Sequence, residues 1–188
     1  FNPFQPLEMI KTGVYTSMPA KFRKKGRTAW SDPNRQGAEV ECFLEGPSFD
    51  RSGNLWIVDI PYGRIFRIST KQEWELIVQY DGWPNGLKFH KDGRAFITCY
   101  KQGLLTLDPK TGKLDTLLGT AFSEGFKGVN DLHFASNGDL YFTDQGQTGI
   151  ADPTGRVYRL RANGALDRLA DNVPSPNGIT LSTTEKHC

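Results

Sequence analysis

The chain has 188 residues, 37% of them apolar and 12% aromatic, and its 23 Lys and Arg nearly balance 21 Asp and Glu, leaving a formal charge of +2. That balance excludes a basic nucleic-acid binder and a chain held on an anionic membrane by charge, and no apolar run approaches the roughly 18 residues of a membrane helix. Twenty glycines with this aromatic content favour an all-β fold rich in turns. The one basic cluster, Lys21-Phe22-Arg23-Lys24-Lys25-Gly26-Arg27, reads as a solvated loop. Cys42, Cys99 and Cys188 form an odd set without short paired spacing, so neither a disulfide framework nor a zinc knuckle is expected. Such usage points to a reducing compartment and a cytoplasmic location.

Residues 1–37 read as an N-terminal segment. A strand is expected over residues 9–15, docked on a later sheet. Residues 19–37 are polar and rich in Pro, Gly and Arg, and read as a long surface loop with Trp30 as its packing anchor. Residues 38–188 form an array. Its units start at Glu45, Asn85, Asn130 and Asn177, at spacings of 40, 45 and 47. Each of the first three reads as a strand, a tight turn and a second strand. Phe49, Phe89, Phe134 and Leu181 each lie four residues after the lead, and Gly53, Gly93 and Gly138 lie eight after it. Asp59, Cys99 and Asp144 lie fourteen after it.

Third strands are expected at residues 64–68, 104–107 and 156–160, and fourth strands at 74–79, 114–118 and 166–170. Four short strands repeating in register at this period predict propeller blades; a sandwich gives no reason for such a repeat. Three blades and one strand leave two sheet flanks open, so the sequence is expected to be part of a longer chain, or to be completed by a second chain. Six blades with the N-terminal segment need roughly 300 residues.

The first strand of a propeller blade lines the central channel. Glu45, Asn85, Asn130 and Asn177 therefore fall around one axis, and all four carry side-chain oxygens. Any one alone serves the turn entering its strand. Together they suit a hard cation: Ca²⁺, Mg²⁺ or Mn²⁺. One carboxylate binds such an ion weakly, and a second is expected in the absent part of the ring. The loops joining second to third strands open on the same face and carry Asp59, Tyr100 and an insertion from Asp144 to Gly155, which is expected to wall a pocket. Trp83, just before Asn85, either stacks on a ligand ring or packs the channel mouth. His90 and His133 read as blade-surface residues.

Leu44-Glu45-Gly46-Pro47 with Gly53-Asn54-Leu55-Trp56-Ile57-Val58-Asp59, then Val129-Asn130-Asp131-Leu132 with Leu140-Tyr141-Phe142-Thr143-Asp144, and Ser175-Pro176-Asn177-Gly178-Ile179, resemble the regucalcin/gluconolactonase (senescence marker protein-like) family. The resemblance covers about residues 43–182. It implies an all-β, six-bladed β-propeller that hydrolyses lactones with a divalent metal on its axis. Calcium is expected first, with magnesium, manganese or zinc as alternatives. It matches the family's metal ligands to Glu45, Asn130 and Asn177, and implies a further aspartate, ligand and base, beyond Cys188. The family's arginine for sugar lactones falls at Gly128, with Lys127 adjacent.

The expected chemistry is ester hydrolysis of a small-molecule lactone, with substrate contacts from Asn85, Tyr100, Trp83 and Lys127. No nucleic-acid or membrane partner is expected. The rivals are a non-enzymatic propeller that binds a small ligand or a protein, and a metal-dependent aryl or phosphotriester esterase. Paraoxonases and diisopropylfluorophosphatase are related propellers.

Overall fold

The computed structural model describes residues 9–188. Twelve strands form three four-stranded antiparallel sheets, each paired in chain order. The first blade is β1 (Leu44–Phe49), β2 (Leu55–Asp59), β3 (Arg64–Ile68) and β4 (Trp74–Gln79). The second is β5 (Pro84–Phe89), β6 (Ala95–Cys99), β7 (Gly103–Leu107) and β8 (Leu114–Leu118). A short hairpin follows, β9 (Thr120–Ala121) with β10 (Glu124–Gly125). The third blade is β11 (Val129–Phe134), β12 (Leu140–Asp144), β13 (Gly155–Leu160) and β14 (Leu166–Val173).

The meanders follow from the turns. Gly53, Gly93 and Gly138 have φ of 80°, 93° and 91°, a region that costs a side chain dearly and glycine nothing. Each glycine N–H donates to the carbonyl three residues back: Asp50 at 3.1 Å, His90 at 2.9 Å and Ala135 at 3.0 Å. Side chains of the inner strands alternate toward the two neighbouring blades, so such strands are buried on both faces. All five residues of β6 are buried.

The blades stack about an axis. β5 lies against β1 on one side and β11 on the other, so the three first strands gather at the centre. One apolar cluster, with Trp56, Val58, Ile65, Leu87, Ile97 and Leu105, joins blades one and two. Another, with Phe96, Leu104, Leu132, Phe142 and Tyr158, joins blades two and three. At about 1.5–3 kcal/mol for each large apolar side chain withdrawn from water, these seams dominate the stability.

The N-terminal region departs from expectation. Residues 9–19 contain no strand. Met9, Ile10 and Val14 are 91%, 79% and 84% exposed, and apolar residues without a sheet edge to pair with stay in solvent. Docking is done further along, on blade one. Met18 packs on Phe66, Ile68 and Trp74, Phe22 meets Phe66 edge to face at 5.1 Å, and the Trp74 indole N–H donates to Thr16 Oγ1 at 3.0 Å. This segment covers a blade flank that the repeat pattern leaves open.

The loop expected over residues 19–37 also holds a single turn, Ala20–Phe22, and a short helix, α1 (Ser31–Arg35). Trp30 is buried there against Phe43, with ring centroids 4.9 Å apart. Residues 1–8 lie outside the described residues. Among the described residues no helix is long and apolar enough to cross a membrane.

Candidate functional site

Each first strand carries a bulge just past its lead residue. The ladder shifts register between Glu45 and Ser48, between Pro84 and Leu87, and between Val129 and Leu132. A bulge breaks the ladder and re-aims the strand, so backbone groups at the lead position need other partners. In blades two and three a threonine of the second strand supplies them. The Gly86 N–H donates to Thr98 Oγ1 at 2.7 Å, and that hydroxyl donates to Asn130 O at 2.5 Å. The Asp131 N–H donates to Thr143 Oγ1 at 3.0 Å, and that hydroxyl donates to Asn177 O at 2.7 Å. Each hydroxyl thus grips the bulge of its own blade and the lead residue of the next. Residues 174–188 form no strand, yet Asn177 is held as Asn130 is. Blade one has Val58 in this position. There the backbones meet directly, and a Cβ on Gly46 would stand 2.5 Å from Asn85 O.

Of the lead side chains, Asn130 is the most buried, at 6% exposure. Its Nδ2 donates to Gln145 Oε1, leaving Oδ1 without a protein partner among the described residues. Glu45 and Asn85 are half-buried, and Asn177 is exposed. Burial raises the Glu45 carboxyl above its ordinary value; the Gly46 N–H lowers it, and repulsion from Asp131 raises it again. No basic side chain contributes to that balance.

Asp131 is the second carboxylate of this region. Its Oδ2 accepts the Ile179 N–H at 3.2 Å, and its Oδ1 stands 2.8 Å from where a Cβ of Gly86 would be. The repeat held the signal for it. The residues after the four leads are Gly46, Gly86, Asp131 and Gly178, so a carboxylate stands where the others have no side chain.

Beside the axis lies a cavity of about 230 Å³. Trp83, Asn85 and Tyr100 line it, together with Gln145, Ser175 and Trp30. The insertion after Asp144 forms one wall through residues 145–148. Gln145 links wall to axis, since its Nε2 donates to Ser175 Oγ at 2.8 Å while its Oε1 accepts from Asn130. Trp83 and Tyr100 pack with centroids 5.4 Å apart. Tyr100 in turn lies on Gly128, where a Cβ would come within 2.2 Å of its ring. Lys127 does not line this cavity; its Nζ donates to Thr154 Oγ1 of the insertion.

Asp59 and Asp144 prove to be the buried last residues of β2 and β12, not loop residues. Each accepts from the backbone two residues ahead of a lead, Asp59 from Phe43 N and Asp144 from Gly128 N, both at 2.8 Å. Asp59 also accepts from Arg64 Nε at 2.7 Å, while Arg64 Nη2 lies 2.6 Å from the same oxygen but off the hydrogen-bond direction. These carboxylates hold the entry to the first strand. Cys99 is likewise the buried end of β6. His90 is no free surface residue either: its ring packs on Phe134 at 5.0 Å, between blades two and three.

The oxygen set fits a hard cation. It offers one half-buried carboxylate without a basic partner, a second carboxylate within its electrostatic reach and a free amide oxygen. Among the described residues no three His, Cys, Asp or Glu side chains converge, so the amides are needed to complete such a set.

The family model described as the SMP-30/Gluconolactonase/LRE-like region matches residues 43–188. Lactonase drp35 of Staphylococcus aureus strain USA300 is 32% identical over 170 residues, covering 84% of this chain and 49% of that protein. Lactonase drp35 of Staphylococcus epidermidis strain ATCC 12228 is 29% identical over 181 residues, covering 91% of this chain and 54% of that protein. The chain therefore spans about half the length of the curated relatives it matches. Among solved structures, the Xanthomonas campestris gluconolactonase XC5397 superposes with a TM-score of 0.70 at 23% identity, over 77% of this chain and 52% of its own. The Agrobacterium tumefaciens regucalcin, described as a calcium-binding protein, gives 0.53 at 22% identity, over 69% of this chain and 43% of its own. At such identities the likeness is one of fold, and it agrees with three blades of a β-propeller.

Proposed function

This chain belongs to the SMP-30/gluconolactonase/LRE-like family, and on that premise we propose that it is part of a hydrolase that opens a lactone ring beside a divalent cation. Glu45, Asn130 and Asn177 would hold the cation, with calcium first among the ions that an all-oxygen set takes. Such an ion, when bound, supplies Lewis-acid polarisation of a carbonyl group. The observation that carries this reading is Glu45: a half-buried carboxylate, raised by burial, that faces another carboxylate and no basic side chain.

The chain's own residues orient the substrate. Asn85 and Tyr100 present polar atoms into the cavity, and Trp83 backs Tyr100. Gln145 keeps the Asn130 amide nitrogen occupied, so the oxygen is the atom left to face an electrophile. Lys127, expected as a substrate contact, stands outside the cavity lining and is tied to Thr154, so it enters the proposal only through its hold on the insertion. The general base is assigned, through the family resemblance, to an aspartate of a further blade. A six-bladed ring, completed by further residues or by a second chain, belongs to the same proposal, as does the division into an N-terminal segment (1–37) and propeller (38–188). The free state of Cys42, Cys99 and Cys188 supports a reducing, cytoplasmic location.

The test has two arms. Calcium, magnesium, manganese and zinc are titrated into chelator-treated protein by calorimetry, and lactones, aryl esters and phosphotriesters are assayed with and without chelator. The expected result is saturable binding that Glu45→Ala abolishes, and lactone turnover that chelator removes. Full turnover by Glu45→Ala would refute the assignment. Binding of a lactone without turnover of any ester would point to a non-enzymatic binder.

A further inference from the structure

The end of the blades away from the axial cavity holds a second cavity, of about 430 Å³, wedged between blades two and three. Its floor is apolar, made by Phe96, Phe134, Leu118, Leu140 and Leu160. Its rim is basic, with Lys91 and Arg94 from one blade and Arg161 from the other. Among the described residues no acidic side chain lines it. Arg94 and Arg161 are held in place by Asp92 and Asp167, with contacts of 2.7 Å and 2.6 Å. Lys91 has no carboxylate partner among the described residues, and its Nζ reaches across the wedge to within 4.0 Å of where a Cβ of Gly138 would be.

The corresponding wedge between blades one and two shows what is particular here. Trp56 stands in the repeat position of Phe96 and is fully buried, packed on Phe89 with centroids 5.5 Å apart. Its indole N–H donates to Asp50 Oδ2 at 2.9 Å. Asp50 in turn occupies the repeat position of His90. The first wedge holds a space of about 410 Å³ as well, but a polar one, with the carboxylates of Asp50 and Glu75 in its lining. In the second, a phenyl ring and an imidazole stand in these places, the lining is apolar without a carboxylate, and cations stand at its mouth. A space in the range of about 300–1,000 Å³, with an apolar body and a few fixed polar groups, is the usual shape of a small-molecule site.

We infer that this wedge binds an amphipathic carboxylate, its hydrocarbon tail on the Phe96–Phe134–Leu160 floor and its head at Lys91 and Arg161. The inference stands apart from the reading of the axial cavity, and nothing in it depends on a metal or on lactone turnover.

The probe is octanoate, with octan-1-ol as the neutral counterpart of the same tail, titrated by calorimetry into the full chain. Octanoate should bind once per chain, and octan-1-ol roughly tenfold more weakly, the usual size of one charge-assisted contact. Lys91→Glu should weaken octanoate by a similar factor. Leu117→Trp should abolish binding by filling the space from its partly exposed edge, with melting unchanged. Lys110→Glu, in the other wedge, should leave affinity within about twofold. Equal affinity for acid and alcohol, no saturable binding, or octanoate binding untouched by either Lys91→Glu or Leu117→Trp overturns the inference.

Discussion

Replacing Thr98 by valine keeps the shape of the side chain and removes only its hydroxyl. Two buried backbone groups then lose their partners: the Gly86 N–H, bonded at 2.7 Å, and the Asn130 carbonyl, bonded at 2.5 Å. Thr98 itself is 0% exposed, so water does not readily replace either bond. A buried polar group left unpaired costs about 1–3 kcal/mol. Allowing for some relaxation, Thr98→Val should destabilise the chain by about 2–4 kcal/mol, and lower the melting temperature by about 5–12 °C for a chain of this size. Shape is not at issue, because Val58 fills the same repeat position in blade one with 0% exposure. Thr98→Ser is the control: it keeps the hydroxyl and drops one methyl, at about 1 kcal/mol. Urea titration followed by tryptophan fluorescence gives both numbers, with an unchanged slope showing that the unfolded state is comparable. If the valine variant unfolds at the same urea concentration as the serine variant or later, the hydroxyl does not join the blades and the reasoning fails.

Two further outcomes follow from contacts already described. Gly128→Ala places a Cβ within 2.2 Å of the Tyr100 ring, so it should cost about 1–3 kcal/mol and raise KM for any cavity ligand; adding Tyr100→Ala should recover part of the stability, which a double-mutant cycle measures. Asp50 titrates below its ordinary value of 3.8: burial pushes it upward, but hydrogen bonds from Asn54, Trp56 and Ser52 outweigh that. A depressed carboxyl stabilises the fold above its unfolded value and loses that contribution as pH falls through its folded value. The stability gap between the native chain and Asp50→Asn should therefore be full at pH 7 and close below pH 3.8; a gap that stays constant down to acid would contradict the hydrogen-bond account.

The blades are legible in the sequence because their punctuation is local. Gly53, Gly93 and Gly138 must be glycine for a turn of a few residues, whatever the rest of the chain does. The lead residues could be found by counting back from those turns. What was hidden depends on partners remote in sequence. Met9, Ile10, Val14 and Tyr15 are apolar enough to suggest a strand, but pairing needs a free edge, and this segment docks on blade one through Met18 and Phe22 instead. The hairpin of β9 and β10 has only two residues on each side, too few for any periodicity. The cavity is a matter of which loops meet, so Ser175 and Trp30 beside Tyr100 could not be read from spacing. Thr98 and Thr143 were in register from the start, as was Asp131 among glycines; their meaning appears only once the bulges show which backbone groups need partners.

The threonine bonds run one way around the molecule. The second strand of blade two steadies Asn130 on blade three, and that of blade three steadies Asn177 beyond it. Asn130 and Asn177 are therefore each held in part by the preceding blade as well as by their own surroundings. For an engineer, this separates two operations that usually interfere. A lead residue's position can be shifted by editing the second strand of the blade before it, while the loops that wall its own cavity stay as they are. Errors should travel in the same direction, so a weakened blade would first be felt at the oxygen atom presented by its successor.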